Sequence, residues 1–185
     1  MLAAETRQFD LAEGYFLDLI KRKTRLADAY FELGRIEEQR GDYAKANDWY
    51  GRVSGEDRYL IAQLRKGVVL AKAGEIATLT QHFETLRRNQ PQNSITLYQA
   101  EAEALREAER YQEAFDTLDR GLALHPNDKD LLYARSLIAE KLDRLDVLER
   151  DLRIIIAADP KNLSLIHISE PTRRTPISYA VFCLK

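Results

Sequence analysis

The sequence predicts an all-α fold, an α-solenoid of antiparallel helix-turn-helix repeats, and three observations carry that prediction. Pro91, Pro126 and Pro160 lie 35 and 34 residues apart, each closing a similar phrase: Leu-Arg-Arg-Asn-Gln-Pro, Leu-Ala-Leu-His-Pro and Ile-Ala-Ala-Asp-Pro. A fixed period of roughly 20–50 residues is the signature of a repeat array. Between the prolines, apolar residues recur at spacings of three and four, which places them on one helical face. Finally, the 185 residues are 45% hydrophobic and 31% charged, a globular composition long enough for a handful of stacked repeats.

The chain opens with Phe9, Ala12 and Phe16, which match Tyr43, Ala46 and Tyr50 further on. Residues 9–22 therefore read as a second helix, with Met1–Arg7 as half of its partner, and 1–26 as a partial repeat. Residues 27–59 are the best copy. A first helix carries Tyr30, Leu33 and Gly34, a turn follows at Gly41-Asp42-Tyr43, and a second helix carries Ala46, Tyr50 and Val53. Gly34 and Ala46 are small enough to let two helices approach, and Gly41 suits a tight turn. The copy at 60–93 has Leu64 and Gly67, then Gly74, then Phe83 and Leu86. The copy at 94–128 has Tyr98, Ala102 and Leu105, then Tyr111, Ala114, Leu118 and Gly121. The copy at 129–162 has Leu132, Ser136 and Ala139, then Leu145, Leu148, Leu152 and Ile155. Proline ends each second helix because it lacks an N–H and disfavours helix at the preceding residue. Ala114 is expected to be buried between paired helices, so Ala114→Leu should destabilise by about 1–3 kcal/mol in a thermal melt.

These residues resemble the tetratricopeptide repeat family, whose pattern is an aromatic, Leu-Gly, a second aromatic, then Ala, Phe and Pro at this period. The resemblance covers about residues 1–162 and is of the bacterial type. Arg58 stands where the best copy would have its proline, and Leu79 and Leu148 stand where the family prefers alanine. The latter two suggest irregular helix packing. The resemblance implies a right-handed superhelix with a concave groove.

Residues 163–185 leave the repeat pattern and resemble the translation of a transposon-based sequencing-library adapter. They are therefore read as an irregular, non-native tail and kept out of the fold. With a half-repeat at one end and this tail at the other, the sequence reads as an internal piece of a longer repeat protein. Ile154, Ile155 and Ile156 would then lack a following repeat to cover them.

The formal net charge is −2 with acids and bases interspersed, which offers no electrostatic footprint for nucleic acid. No apolar run approaches the ~20 residues a membrane span needs, so direct membrane insertion is not expected. The first residues carry no export signal, leaving the compartment open: cytoplasm, or periplasm if a parent carries an upstream signal. Cys183 is the lone cysteine and lies in the adapter-like tail. His82, His125 and His167 share no metal-binding spacing, so no metal or other cofactor is expected. Acidic runs such as Glu37-Glu38 and Glu101/Glu103 read as solvated helix faces rather than catalytic pairs.

Among the aromatics, Tyr30, Tyr43, Tyr50, Phe83, Tyr98 and Tyr111 fall at repeat-packing positions and read as core. Trp49 reads as partly exposed. Phe31 and Tyr133 sit one residue past the packing position, which in the family turns a side chain toward the groove. The same face gives Phe31, Glu32, Arg35 and Gln39, then Leu64, Arg65, Val68 and Lys72. It continues through Gln99, Glu103 and Arg106 to Tyr133, Leu137 and Lys141. Mixed apolar and charged groups on one face suit a peptide or a partner helix. A merely solvated face is the alternative reading. The Lys/Asn pattern with which some relatives clamp a chaperone's terminal carboxylate is not reproduced. The sequence thus predicts a non-catalytic protein-interaction scaffold. The alternatives are the repeat region of a larger enzyme, such as a peptidase, or of a cell-envelope assembly factor.

Overall fold

The computed structural model describes residues 2–158. Among these, nine α-helices follow one another: α1 (Leu2–Lys21), α2 (Leu26–Arg40), α3 (Tyr43–Gly51), α4 (Glu56–Lys72) and α5 (Ile76–Asn89), then α6 (Ser94–Glu107), α7 (Tyr111–Leu124), α8 (Lys129–Lys141) and α9 (Leu145–Ala158). A single 3₁₀ turn, Pro91–Asn93, separates α5 from α6. The chain divides into two compact units, Met1–Arg88 and Asn89–Lys185. Pro160 and the adapter-like tail lie outside the described residues.

Within the pairs α2–α3, α4–α5, α6–α7 and α8–α9 the helices are joined by short turns that share one construction. After α2, Gly41 takes a left-handed φ of 80°, and the Gly41 and Asp42 N–H groups donate back to Glu38 and Glu37 carbonyls. The Asp42 side chain then caps α3 by accepting from the Lys45 N–H at 3.1 Å. Gly74 repeats the turn after α4 with φ 77°. After α6 and α8 the same left-handed position is filled by Glu109 (φ 58°) and Asp143 (φ 56°). The following N–H groups still close the same bonds, Arg110 to Leu105 at 2.8 Å and Arg144 to Ala139 at 2.8 Å. The turn is therefore imposed by the helix ends it joins, and the third and fourth copies tolerate a side chain where only glycine is free of strain. Glu109→Gly and Asp143→Gly are each expected to stabilise the second unit by about 1 kcal/mol, read as a higher denaturant midpoint at unchanged slope.

In the first unit α1 packs on α2, α2 on α3 and α3 on α4. Phe31, Ala46, Tyr50, Val53, Ala62 and Val69 form a buried cluster there. The small residues explain how the helices approach. A Cβ on Gly34 would lie 2.6 Å from the Tyr50 ring, and one on Gly67 would lie 2.4 Å from the Phe83 ring. Phe83 thus sits on α4 in the way that Tyr50 sits on α2. In the second unit α6, α7, α8 and α9 pack in sequence, and the aromatic and the small residue exchange helices. There Tyr98 on α6 lies against Gly121 on α7, 3.0 Å from where a Cβ would stand. Ala114 is fully buried, in keeping with the cost expected for enlarging it.

Several expectations need correction. Residues 2–21 form one continuous helix, so Met1–Arg7 is not a separate half-helix packed against 9–22. Tyr30, Tyr43 and Tyr111 are half-buried, Tyr30 and Tyr43 packing against the first unit's core, while Tyr50, Phe83 and Tyr98 are buried. Tyr30 also stacks on the half-buried Trp49, with ring centroids 5.9 Å apart. Leu79 and Leu148, larger than the alanine of the family pattern, are both buried in the cores. Proline's role is sharpened at one site: Pro91 follows the end of α5 and also starts the 3₁₀ turn that leads into α6.

A candidate protein-binding face

The first helices of the copies, α2 and α4 in the first unit and α6 and α8 in the second, carry the residues expected to meet a partner. Phe31 is corrected: it is 5% exposed, with its ring 5.7 Å from Tyr50 and beneath the Arg58 guanidinium at 5.1 Å. At this position α2 faces α3 and α4 at once, so the ring is enclosed. Arg35 and Gln39 are exposed, and Arg35 pairs with Glu32 at 3.0 Å. On α4, Leu64, Arg65 and Val68 are half-exposed and Lys72 is exposed.

Glu38 organises this part of the face, and the expectation that Glu37-Glu38 is a solvated run is wrong. The Glu38 side chain is only 4% exposed. It accepts hydrogen bonds from the Tyr50 hydroxyl at 3.0 Å, from Arg65 at 2.6 Å and from Lys72 at 3.0 Å. Burial alone would raise its pKa, but Lys72, Arg65 and Tyr50 together outweigh burial and hold it below 4.5. Burial, with Glu38 beside it, pushes the Tyr50 phenol up to about 12, so it remains the donor. Glu37 is also buried and accepts from Arg40 at 2.8 Å. Arg40 reaches on to Asp10 and Glu13, each at 2.7 Å, and ties α1 to α2.

The lowered Glu38 pKa has a sign that can be tested. Its contribution is complete above the ordinary value of 4.5 and is lost as pH falls through the lower folded value. The first unit should therefore lose stability as pH drops below 4.5. Glu38→Gln should flatten that part of the profile while lowering stability at neutral pH. Urea denaturation at neutral pH and at about pH 3.5 reads both effects.

Two pairs of cations on this face share single carboxylates. Arg65 and Lys72 share Glu38, and Arg25 and Arg58 both lie 2.9 Å from Asp28. Glu32, which holds Arg35, stands a further 3.7 Å from Arg58. Ile61 was missed by the sequence reading. It is 49% exposed and precedes Leu64 and Val68 at helical spacing, extending the apolar stripe of α4 by one turn. The three-residue step from Ile61 to Leu64 was the available signal.

In the second unit Gln99 is half-buried, and Glu103 and Arg106 are exposed and bonded to each other at 2.7 Å. Tyr133 is half-buried and Leu137 is 37% exposed, one turn apart on α8. Glu101, expected to be solvated, is fully buried within 3.5 Å of Arg120. Asp151 on α9 is also fully buried and takes a two-pronged bond from Arg135 of α8, both contacts at 2.7 Å. Arg135 also reaches Asp119 of α7. Burial lowers the Arg135 pKa, but bonding to Asp151 and Asp119 more than compensates and raises it above its ordinary value.

His82 Nε2–H donates to the Gln63 carbonyl, 3.0 Å away, and burial lowers its pKa below 6.5. Among the described residues no cluster of three His, Cys, Asp or Glu is placed to hold a metal, and no helix is long and apolar enough to cross a membrane. The face therefore offers shape, apolar surface and charge.

Comparison with known proteins agrees with the repeat architecture. Residues 1–59 match the family model of the tetratricopeptide repeat. The chain is 42% identical over 134 residues to the TPR repeat-containing protein PA4667 of Pseudomonas aeruginosa. The match takes in 72% of this chain but spans only 23% of the length of that protein. Among solved structures, MamA 41-end from Desulfovibrio magneticus RS-1 aligns with a TM-score of 0.48 at 18% identity, over 76% of this chain and 79% of its own. MamA AMB-1 aligns with a TM-score of 0.49 at 15% identity, over 90% and 92% of the two chains. Period, helical hairpins and both sequence matches agree in supporting a bacterial protein similar to the tetratricopeptide repeat family, with residues 1–59 matched by the family model itself.

Proposed function

We propose that this chain is a non-catalytic scaffold that binds a peptide or partner helix along the first-helix face of its repeats. The observation that carries the reading is the stripe Ile61, Leu64 and Val68, left accessible on α4 beside cations that buried Glu38 holds in place. Leu137 and Tyr133 offer a second accessible apolar pair on α8. Rigid helices that present apolar groups at helical spacing, with charge alongside, suit docking of an extended or helical segment. A preorganised face also lowers the ordering cost of binding.

Photo-crosslinking in the native host tests this. In the first unit a crosslinker at Leu64 should capture a partner that one at Asp48 on the second helix does not, and in the second unit Leu137 should do the same against Asp116. Equal capture from both sets of positions, or none from Leu64 and Leu137, would reject the reading.

A further inference from the structure

On the first-helix face of the first unit, we infer that the occupant is an acidic amphipathic segment, its apolar side on Ile61, Leu64 and Val68 and its carboxylates on Arg65 and Lys72. This rests on the scaffold reading and adds the chemistry of the partner. The chain as a whole is slightly acidic, at −2, so its overall charge does not favour an acidic partner. The local balance is the reverse. Among the described side chains here, Arg25, Arg35, Arg58, Arg65 and Lys72 stand against Asp28, Glu32 and Glu38, so positive charge is in excess beside the apolar stripe.

The arrangement keeps those cations available. Glu38 is buried and takes one contact from each of Arg65 and Lys72, whose side chains stay 43% and 38% exposed. An Arg guanidinium has five N–H donors and a Lys ammonium three, so each retains donors for an incoming carboxylate. Because Glu38 fixes both side chains, little rotamer freedom remains to be lost when a partner docks. Lys72 lies two helical turns beyond Arg65, so the carboxylates that meet them would recur at helical spacing in the partner. A basic partner would be repelled by the same cations, which makes the charge a device of specificity.

Two synthetic peptides test the inference on the full chain by fluorescence anisotropy. Both carry Leu at positions i, i+3, i+4 and i+7. One has Glu at the flanking positions and the other has Lys. The Glu peptide should bind at least about tenfold more tightly than the Lys peptide, and added salt should narrow the gap. Arg65→Gln with Lys72→Gln should bring the two affinities within about twofold. Because that double variant also removes partners from buried Glu38, Ile61→Glu provides a second reading at an exposed site, and it should weaken the Glu peptide specifically. Equal affinities in the unaltered chain, binding of neither peptide, or an acid preference that survives both variants overturns the inference. If a partner still crosslinks at Leu64 and Leu137 in that event, the scaffold reading stands and only the acidic chemistry is wrong. If those crosslinks are absent as well, the scaffold reading itself fails.

Discussion

Asp151→Ala is expected to destabilise the second unit by about 3–5 kcal/mol, the largest effect of any single side-chain removal considered. Asp151 is fully buried and Arg135 is 11% exposed, so removing the carboxylate strands a guanidinium between helices. Asp119 is the partner that remains, and its side chain is 48% exposed, so it compensates only in part. Replacing both residues together, Arg135→Met with Asp151→Leu, should recover most of the loss, because no unpaired charge is then buried. Chemical denaturation of the two variants separates these outcomes. By contrast, the exposed Arg153–Glu149 pair on α9 should be worth well under about 1 kcal/mol.

Gly67→Leu should cost the first unit about 3 kcal/mol, the upper end of what overpacking causes. The first added atom already meets the Phe83 ring at 2.4 Å, and Phe83 is fully buried, so the ring has nowhere to turn. The gain in helix propensity on replacing glycine, about 1 kcal/mol, offsets only part of this. Gly14, with nothing within 4 Å of its would-be Cβ, is the matched control. Gly14→Leu should be neutral or stabilising. Thermal melts of the two variants should move in opposite directions or differ by several degrees.

How much of this was legible in the sequence depends on which force sets the feature. The helical repeats were legible because a buried face at spacing three and four leaves a periodic trace, and the prolines mark its ends. Gly34 and Gly67 were legible as small packing residues, although not as seats for Tyr50 and Phe83. The turns at Glu109 and Asp143 were not legible, since nothing in a Glu or an Asp announces a left-handed backbone. The buried acids were the main failure. Glu38, Glu101 and Asp151 look like surface residues in a linear reading, because their partners come from other helices, 12 to 34 residues away in the sequence. Lys72 follows Glu38 by 34 residues, so the repeat period itself brings the two together. Phe31 was misplaced for a related reason: a position that faces the groove when the neighbouring side chains are small is closed over here by Tyr50 and Arg58. Of the face, Arg35, Leu64, Arg65, Val68, Lys72 and Leu137 are accessible as the sequence suggested, and whether they meet a partner is the question a titration answers.

Methyl-detected NMR of the full chain, titrated with the Glu-flanked peptide, addresses that question most directly. Ile61, Leu64 and Val68 should shift together, saturating at one affinity, while Leu11 and Leu17 on α1 stay unchanged. Shifts confined to the exposed methyls of α1, with α4 silent, would contradict this expectation.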